Sequence, residues 1–201
     1  MENPLGLEED LYDKGYSPVG GVDEAGRGPL AGPVVACAVI FPRNLVIEGV
    51  NDSKKITGKR RNELAKIIKE RAIAYCVGFV DAETIDKVNI LQATLLAMKC
   101  AADNLAIKPA ALIIDGTHAP KLTGIHCVCV PKGDALSHAC AAASIIAKTE
   151  RDAFMENLHL QYPMYGFDIH KGYGTKTHIE AIRANGYCPQ HRMSFKVKGL
   201  T

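Results

Sequence analysis

Asp23 and Glu24 are neighbouring carboxylates at the end of a short strand-like stretch, Val19-Gly20-Gly21-Val22. Directly after them comes Ala25-Gly26-Arg27-Gly28-Pro29. Carboxylates are hard oxygen donors for a divalent cation. Glycine lets a ligand approach the main chain closely, and a guanidinium presents a fork suited to phosphate. Two acids beside a bare-backbone turn with one arginine point to a metal site next to a phosphate or sugar site. Chemistry on a phosphodiester is what this spacing favours.

Two further acids stand in comparable places. Asp115 follows Leu112-Ile113-Ile114 and precedes Gly116, and Asp134 follows the run Cys127–Val130 and Pro131-Lys132-Gly133. Ligand sites in α/β sheets gather where strands stop, whereas acids placed for solubility scatter over helix faces. A plainer alternative exists for each: Asp134 as a helix N-cap and Asp115 as a turn aspartate before glycine. Two carboxylates about 4 Å apart repel by about 4 kcal/mol at a surface-like effective dielectric. Four ionised acids in one pocket therefore need cations. An all-oxygen set without histidine or thiolate selects Mg²⁺ or Mn²⁺. Two such ions about 3.5–4 Å apart can activate a water and steady a leaving oxygen. Strand geometry raises a difficulty, because consecutive residues face opposite sides. The expectation is that the strand breaks at Ala25-Gly26, or that a bulge redirects Glu24.

Several elements must position these groups. Val34–Phe41 reads as a buried strand that forms a hairpin with Val19–Glu24 through the Gly26–Pro33 turn. Thr57 reads as the N-cap of a helix over Lys59–Arg71, and Ala74–Val80 as a strand. Residues Ala82–Leu105 read as one helix, then Ala111–Ile114 and Cys127–Val130 as strands. One long alanine-rich helix is expected from Asp134 to about His159, and a last helix over Thr177–Ala184, closed by Asn185-Gly186. The order predicts an α/β chain of one domain: a mixed sheet flanked by helices, with a catalytic core over about 18–160. The C-terminal segment, about 161–201, is expected to be a helical appendage lying across the sheet edge.

Length and composition agree with a single folded core. The chain has 201 residues and a net charge of +2, and no apolar run long enough to span a membrane. Its first residues are acidic and do not read as a secretory signal. The seven cysteines form no Cys-x-x-Cys pair and sit mostly in apolar runs, as buried reduced thiols would. A cytoplasmic location follows. Charge is unevenly spread: residues 52–71 hold eight bases against three acids, and residues 169–201 hold six against one. Two basic segments suggest a polyanion partner, although residues 59–71 read equally well as a solvated helix face.

Other stretches carry weaker signals. His170-Lys171-Gly172-Tyr173-Gly174-Thr175 places a tyrosine between glycines, where it could stack on a base or sugar. Lys54 and Lys55, in Asn51-Asp52-Ser53-Lys54-Lys55, could meet phosphates. Ser144, Lys148 and Arg151 share one helix face, which a solvated stripe explains equally well. His138, His159 and His178 show no metal-ligand spacing and read as incidental.

Gly21-Val22-Asp23-Glu24-Ala25-Gly26-Arg27-Gly28-Pro29-Leu30-Ala31-Gly32-Pro33-Val34-Val35 resembles the opening motif of ribonuclease HII, the bacterial type 2 ribonuclease H. Asn51–Lys55, Ile114-Asp115-Gly116, Lys132-Gly133-Asp134, Ala142–Asp152, His170–Thr175 and His191-Arg192-Met193-Ser194-Phe195 look like further segments of that family, in its order. The sister family, ribonuclease HIII, usually carries a lysine where Arg27 stands and adds an N-terminal domain. Neither trait is present here.

The resemblance implies a ribonuclease H-like fold and endonucleolytic cleavage of RNA in RNA–DNA hybrids. It also implies nicking 5′ of single ribonucleotides embedded in duplex DNA, leaving 3′-hydroxyl and 5′-phosphate ends. By the same resemblance Asp23, Glu24, Asp115 and Asp134 hold the divalent metal, Mn²⁺ or Mg²⁺, as two ions in the substrate complex. Gly26, Arg27 and Gly28 sense the ribose 2′-hydroxyl, and Tyr173 packs on the neighbouring deoxyribose. Lys54, Lys55 and Lys171 are candidate phosphate contacts. The expected partners are the RNA–DNA hybrid and the ribonucleotide-containing duplex, met by a monomer without any membrane. Two other classes are weighed: a binding module that does not cut, and a hydrolase of small phosphoesters. Retention of four acids speaks against the first, and flanking basic segments against the second.

Overall fold

The structure is a computed structural model that describes residues 3–50 and 56–196. The helices are α1 (Gly6–Asp13), α2 (Gly58–Arg71), α3 (Ala82–Val88), α4 (Ile90–Asp103), α5 (Gly133–Leu136), α6 (His138–Gln161), α7 (Phe167–His170) and α8 (Lys176–Asn185). The strands are β1 (Val19–Ala25), β2 (Val34–Ile40), β3 (Ala74–Val80), β4 (Ala111–Asp115) and β5 (His126–Val130). They form a five-stranded sheet in the order β3-β2-β1-β4-β5. The expected hairpin is present, with β1 antiparallel to β2 from Gly20↔Ile40 to Ala25↔Val35. β4 and β5 join in parallel, so the sheet is mixed as the element order predicts.

Alternation along the strands divides the core into two layers. Cys37 and Val39 of β2 pack with Leu64 and Ile68 of α2 and with Ile145 and Ile146 of α6. Ala36 and Ala38, facing the other way, pack with Ala97, Met98 and Ala101 of α4 and with Ile114 of β4. The alanine content of α6 has a geometric reason. A Cβ on Gly21 would stand 2.3 Å from the Cys140 nitrogen and 2.4 Å from the Ala139 carbonyl carbon. Helix backbone thus lies directly against strand backbone, and only glycine below and small residues above permit it.

Two expected helices are each broken once. Ser137 adopts an extended conformation and accepts from the Cys140 N–H at 3.1 Å, separating α5 from α6. Asn89, at φ 71°, ends α3 and caps α4. Helix α1 was not expected at all. Its Glu8 is buried, accepting from the Ser137 hydroxyl at 2.7 Å and the Ala139 N–H at 3.0 Å. A carboxylate there meets the positive end of α6, while burial pushes its pKa up against those hydrogen bonds.

The C-terminal residues do not cross a sheet edge as expected. Tyr165, Phe167, Ile182 and Cys188 pack on Ala31 of the β1–β2 connection and on Met155 and Leu158 of α6. A bridge between Ala31 and His191 fastens them there. The physical reason is apolar surface: the second half of α6 presents a stripe that the sheet does not cover. All seven cysteines are free, as expected, but Cys100 is exposed rather than buried. Among the described residues no helix is long and apolar enough to cross a membrane.

Overpacking at the β1–α6 contact should be costly. Gly21→Ala is expected to lower the free energy of unfolding by about 3 kcal/mol, read as a shifted denaturant midpoint at unchanged slope.

Candidate active site

The acids converge as the strand ends suggest. Parallel pairing of β1 with β4 runs to Val22↔Ile114, so Asp23 and Asp115 are the next residues on adjacent strands. Both point to the α6 side of the sheet, two positions beyond Gly21 and Ile113, which meet Ala139 and Cys140. Asp134 arrives from the first turn of α5; Lys132, not Asp134, occupies the cap position. Carboxylate oxygens of Asp23, Asp115 and Asp134 all lie within 4.8 Å of one another. Their orientations are held by neighbours. The Glu24 N–H donates to Asp23 Oδ1 and the Gly133 N–H to Asp115 Oδ1, each at 2.6 Å. The Ser144 hydroxyl donates to Asp23 as well.

Asp23 is 3% exposed. Burial first, then the charges of Glu24 and Asp115, push its pKa well above the usual carboxylate range. Crowded, desolvated oxygens of this kind are relieved by a hard divalent cation, and the donor set fits Mg²⁺ or Mn²⁺.

Glu24 behaves differently from the expectation. The ladder with β2 continues in step through Glu24↔Ala36 and Ala25↔Val35, so there is neither a break nor a bulge. Alternation therefore turns Glu24 to the α4 side, where Val22 also packs. Its longer side chain lies at the end of the sheet and lines clefts on both sides of it. Burial raises its pKa and the Arg27 charge opposes this. Arg27 Nη1 stands 3.5 Å from Glu24 Oε1. Three aspartates meet, with Glu24 at their margin.

The Gly26–Gly28 loop is fixed from behind by two buried arginines. Arg192 donates to the main-chain oxygens of Gly26 at 2.7 Å, Arg27 at 3.0 Å and Gly32 at 2.8 Å. Arg151 donates to those of Pro33 at 3.0 Å, Ala31 at 3.1 Å and Lys171 at 3.0 Å. Burial pushes the Arg192 pKa down to about 9, still cationic at neutral pH. Gly26 has φ 97°, and a Cβ there would sit 2.1 Å from the Arg151 side chain. In a trans peptide the C=O and the following N–H point in opposite directions. Since the Gly26 and Arg27 oxygens face Arg192, the N–H groups of Arg27 and Gly28 face away from it.

A cleft is lined by Glu24, the Gly26–Gly28 loop, Ser144, Lys148 and Tyr173. Tyr173 is 44% exposed, its ring near Gly28 and with Lys148 Nζ 5.9 Å from the ring centre. The helix face bearing Ser144, Lys148 and Arg151 is thus covered by the site instead of by solvent; spacing alone cannot tell these apart. Lys148 donates to Asp152 at 2.6 Å, and Arg61 of α2 meets the same carboxylate at 2.9 Å. Part of the basic α2 segment is therefore used to join two helices. Lys171 does not line this cleft: its ammonium donates to the Glu156 carboxylate at 2.7 Å and to the Asp168 main-chain oxygen at 2.6 Å. Lys54 and Lys55 lie outside the described residues. His138 is buried and accepts the Ile47 N–H at 3.0 Å, a packing role. Arg192, His178 and His191 were not singled out for the site, because their roles arise only when distant segments meet.

The family model described as ribonuclease HII matches residues 20–198. The chain belongs to the ribonuclease HII family. It is 50% identical over 194 residues to ribonuclease HII of Caldicellulosiruptor bescii, covering 96% of this chain and 94% of that one. With ribonuclease HII of Chlamydia caviae it shares 52% over 190 residues, covering 94% and 89%. Among solved structures it is similar to ribonuclease H2 of Pyrococcus horikoshii OT3, at a TM-score of 0.75 and 28% identity over 89% of this chain and 93% of that one. The fold is accordingly ribonuclease H-like, and family membership makes the protein a metal-dependent endoribonuclease.

Charge crowding at Asp23 has a measurable consequence. A carboxyl whose pKa is higher folded than unfolded contributes stability at low pH that is lost as pH rises through the folded value. Buried histidines act with the opposite sign, so the comparison is between two proteins at each pH. In metal-free buffer at pH 7, Asp23→Asn is expected to be more stable than the parent by about 1–3 kcal/mol. The gap should close towards pH 4, and added Mg²⁺ should stabilise the parent more than the variant in thermal unfolding.

Proposed function

We propose that this member of the ribonuclease HII family cleaves the RNA strand of RNA–DNA hybrids and nicks duplex DNA 5′ of a single embedded ribonucleotide, leaving 3′-hydroxyl and 5′-phosphate ends. One observation carries this reading: three converging aspartates stand beside a Gly-Arg-Gly loop that lines a cleft with Ser144, Lys148 and Tyr173 and turns its Arg27 and Gly28 amides away from Arg192. Asp23, Glu24, Asp115 and Asp134 would hold two Mg²⁺ or Mn²⁺ ions in the substrate complex. When bound, such ions supply an activated water and neutralise charge on the leaving oxygen.

The protein's own groups do the rest. Ser144 and the Glu24 and Gly133 amides keep the carboxylates aimed before substrate arrives, so little reorganisation remains. Amide donors of Arg27 and Gly28 meet a ribose 2′-hydroxyl, which a deoxyribose lacks. The Tyr173 ring offers a flat apolar surface to the next sugar, where a hydroxyl would find no partner. Lys148, half-buried beneath that ring, supports a backbone phosphate. We further propose that the chain works in the cytoplasm as a single-domain monomer.

A pure binding module is the competing reading, and it would keep function without the acids. Incubation with Mg²⁺ and a duplex bearing one ribonucleotide should give one nick, 5′ of that residue. Asp23→Asn and Asp134→Asn should bind hybrid within about threefold of the parent while cleavage falls about 10³-fold or more. Turnover near the parent's in either variant would remove the metal role. Arg27→Ala and Tyr173→Ala should lower the ratio of junction to continuous-hybrid cleavage about tenfold or more; equal losses on both substrates would argue against these sensors.

A further inference from the structure

Three histidines lie behind the Tyr173 turn, and their protons can be placed from their partners. The Cys188 N–H donates to His191 Nδ1 at 2.9 Å. An amide always carries its hydrogen, so Nδ1 offers a lone pair there, although the Cys188 oxygen is also 3.3 Å away. Neutral His191 then bears its proton on Nε2, which is 3.1 Å from His178 Nε2. His178 accepts it and carries its own proton on Nδ1, 2.9 Å from the Tyr173 main-chain oxygen. That oxygen also accepts the Thr175 N–H at 2.8 Å. His170, stacked on His178 at 4.4 Å, accepts the Gly172 N–H at 3.2 Å and donates to the Tyr165 oxygen at 2.7 Å.

The chain runs one way, from the Cys188 amide through His191 and His178 to the Tyr173 carbonyl. Each ring nitrogen along it has a partner that suits this assignment, the Cys188 N–H being nearer to His191 Nδ1 than the Cys188 oxygen is, and His178 and His191 are 0% and 2% exposed. The same segment carries the grip on the other sensor, because Arg192 follows His191 directly and holds the Gly26 and Arg27 oxygens. Leu30 closes the circuit, donating to the Gly172 oxygen at 2.8 Å and accepting the Arg192 N–H at 2.8 Å.

We propose that His178 and His191 are positioning residues for ribonucleotide discrimination: their one-way hydrogen-bond chain fixes the Tyr173 main chain, and with it the ring, against the Gly26–Gly28 loop. The inference rests on the role given to Tyr173 under the proposed function. Asparagine at 178 keeps an N–H donor near the place of Nδ1, whereas leucine keeps the volume and removes the donor.

The test measures kcat and KM on a single-ribonucleotide duplex and on a continuous hybrid, together with thermal unfolding of each full-length variant. His178→Leu is expected to lower the junction-to-hybrid ratio of kcat/KM about tenfold and His178→Asn about twofold. In a Tyr173→Ala background His178→Leu should change the ratio by less than about twofold, since the two act as a unit. A merely structural role would lower the unfolding temperature in both backgrounds and leave the ratio alone, which overturns the proposal. Nitrogen-15 imidazole spectra of the parent at pH 7 should show the Nδ1–H tautomer for His178 and Nε2–H for His191; the reverse overturns it independently of folding of any variant. If Tyr173→Ala lowers the ratio and His178→Leu does not, the positioning role falls and the site reading stands. If Tyr173→Ala itself leaves the ratio unchanged, the Tyr173 reading falls and this inference with it.

Discussion

Two buried guanidinium groups hold this site in shape. Arg151 and Arg192 donate to main-chain oxygens along the connection from Gly26 to Pro33 and at Lys171. A loop with unpaired carbonyls cannot be buried cheaply. A guanidinium cannot be buried without acceptors either, so each satisfies the other. A planar fork with several donors does what a lysine's single point of charge cannot. The connection between β1 and β2 is thereby tied down at the carbonyls of Gly26, Arg27, Ala31, Gly32 and Pro33, and it presents amides at a defined place.

The acidic cluster works by the opposite logic. Its members are kept close against their mutual repulsion by the covalent frame: adjacent strands deliver Asp23 and Asp115, and the turn into α5 delivers Asp134. The close β1–α6 contact sets the depth at which Asp23 is buried, and the same helix supplies Ser144 to it. Stability surrendered here by the folded chain is what gives a cation its hold.

Much of this was legible from residue order. Strand ends carrying acids, the hairpin, and the capped α2 follow from local periodicity and turn chemistry, and the motif order marked the family. The failures share a cause. Ser137 reads as one more small residue in an alanine-rich run, and its role as a break depends partly on Glu8, which arrives from far away in the chain. Asn89 breaks a helix by a left-handed backbone that composition alone does not announce. For Arg151 a site face and a solvated stripe stay equally open, because a helical stripe facing a loop has the same spacing as one facing water. Glu24 was expected to need a break or a bulge, yet the regular ladder simply leaves it on the other side.

That placement of Glu24 has a geometric consequence. Consecutive acids on one unbroken strand leave on opposite faces, so anything that touches both is met at the rim of the sheet, between the cleft on its α6 side and the cleft on its α4 side. A long polymer can lie across the rim like a rope over a saddle, entering and leaving without threading its ends.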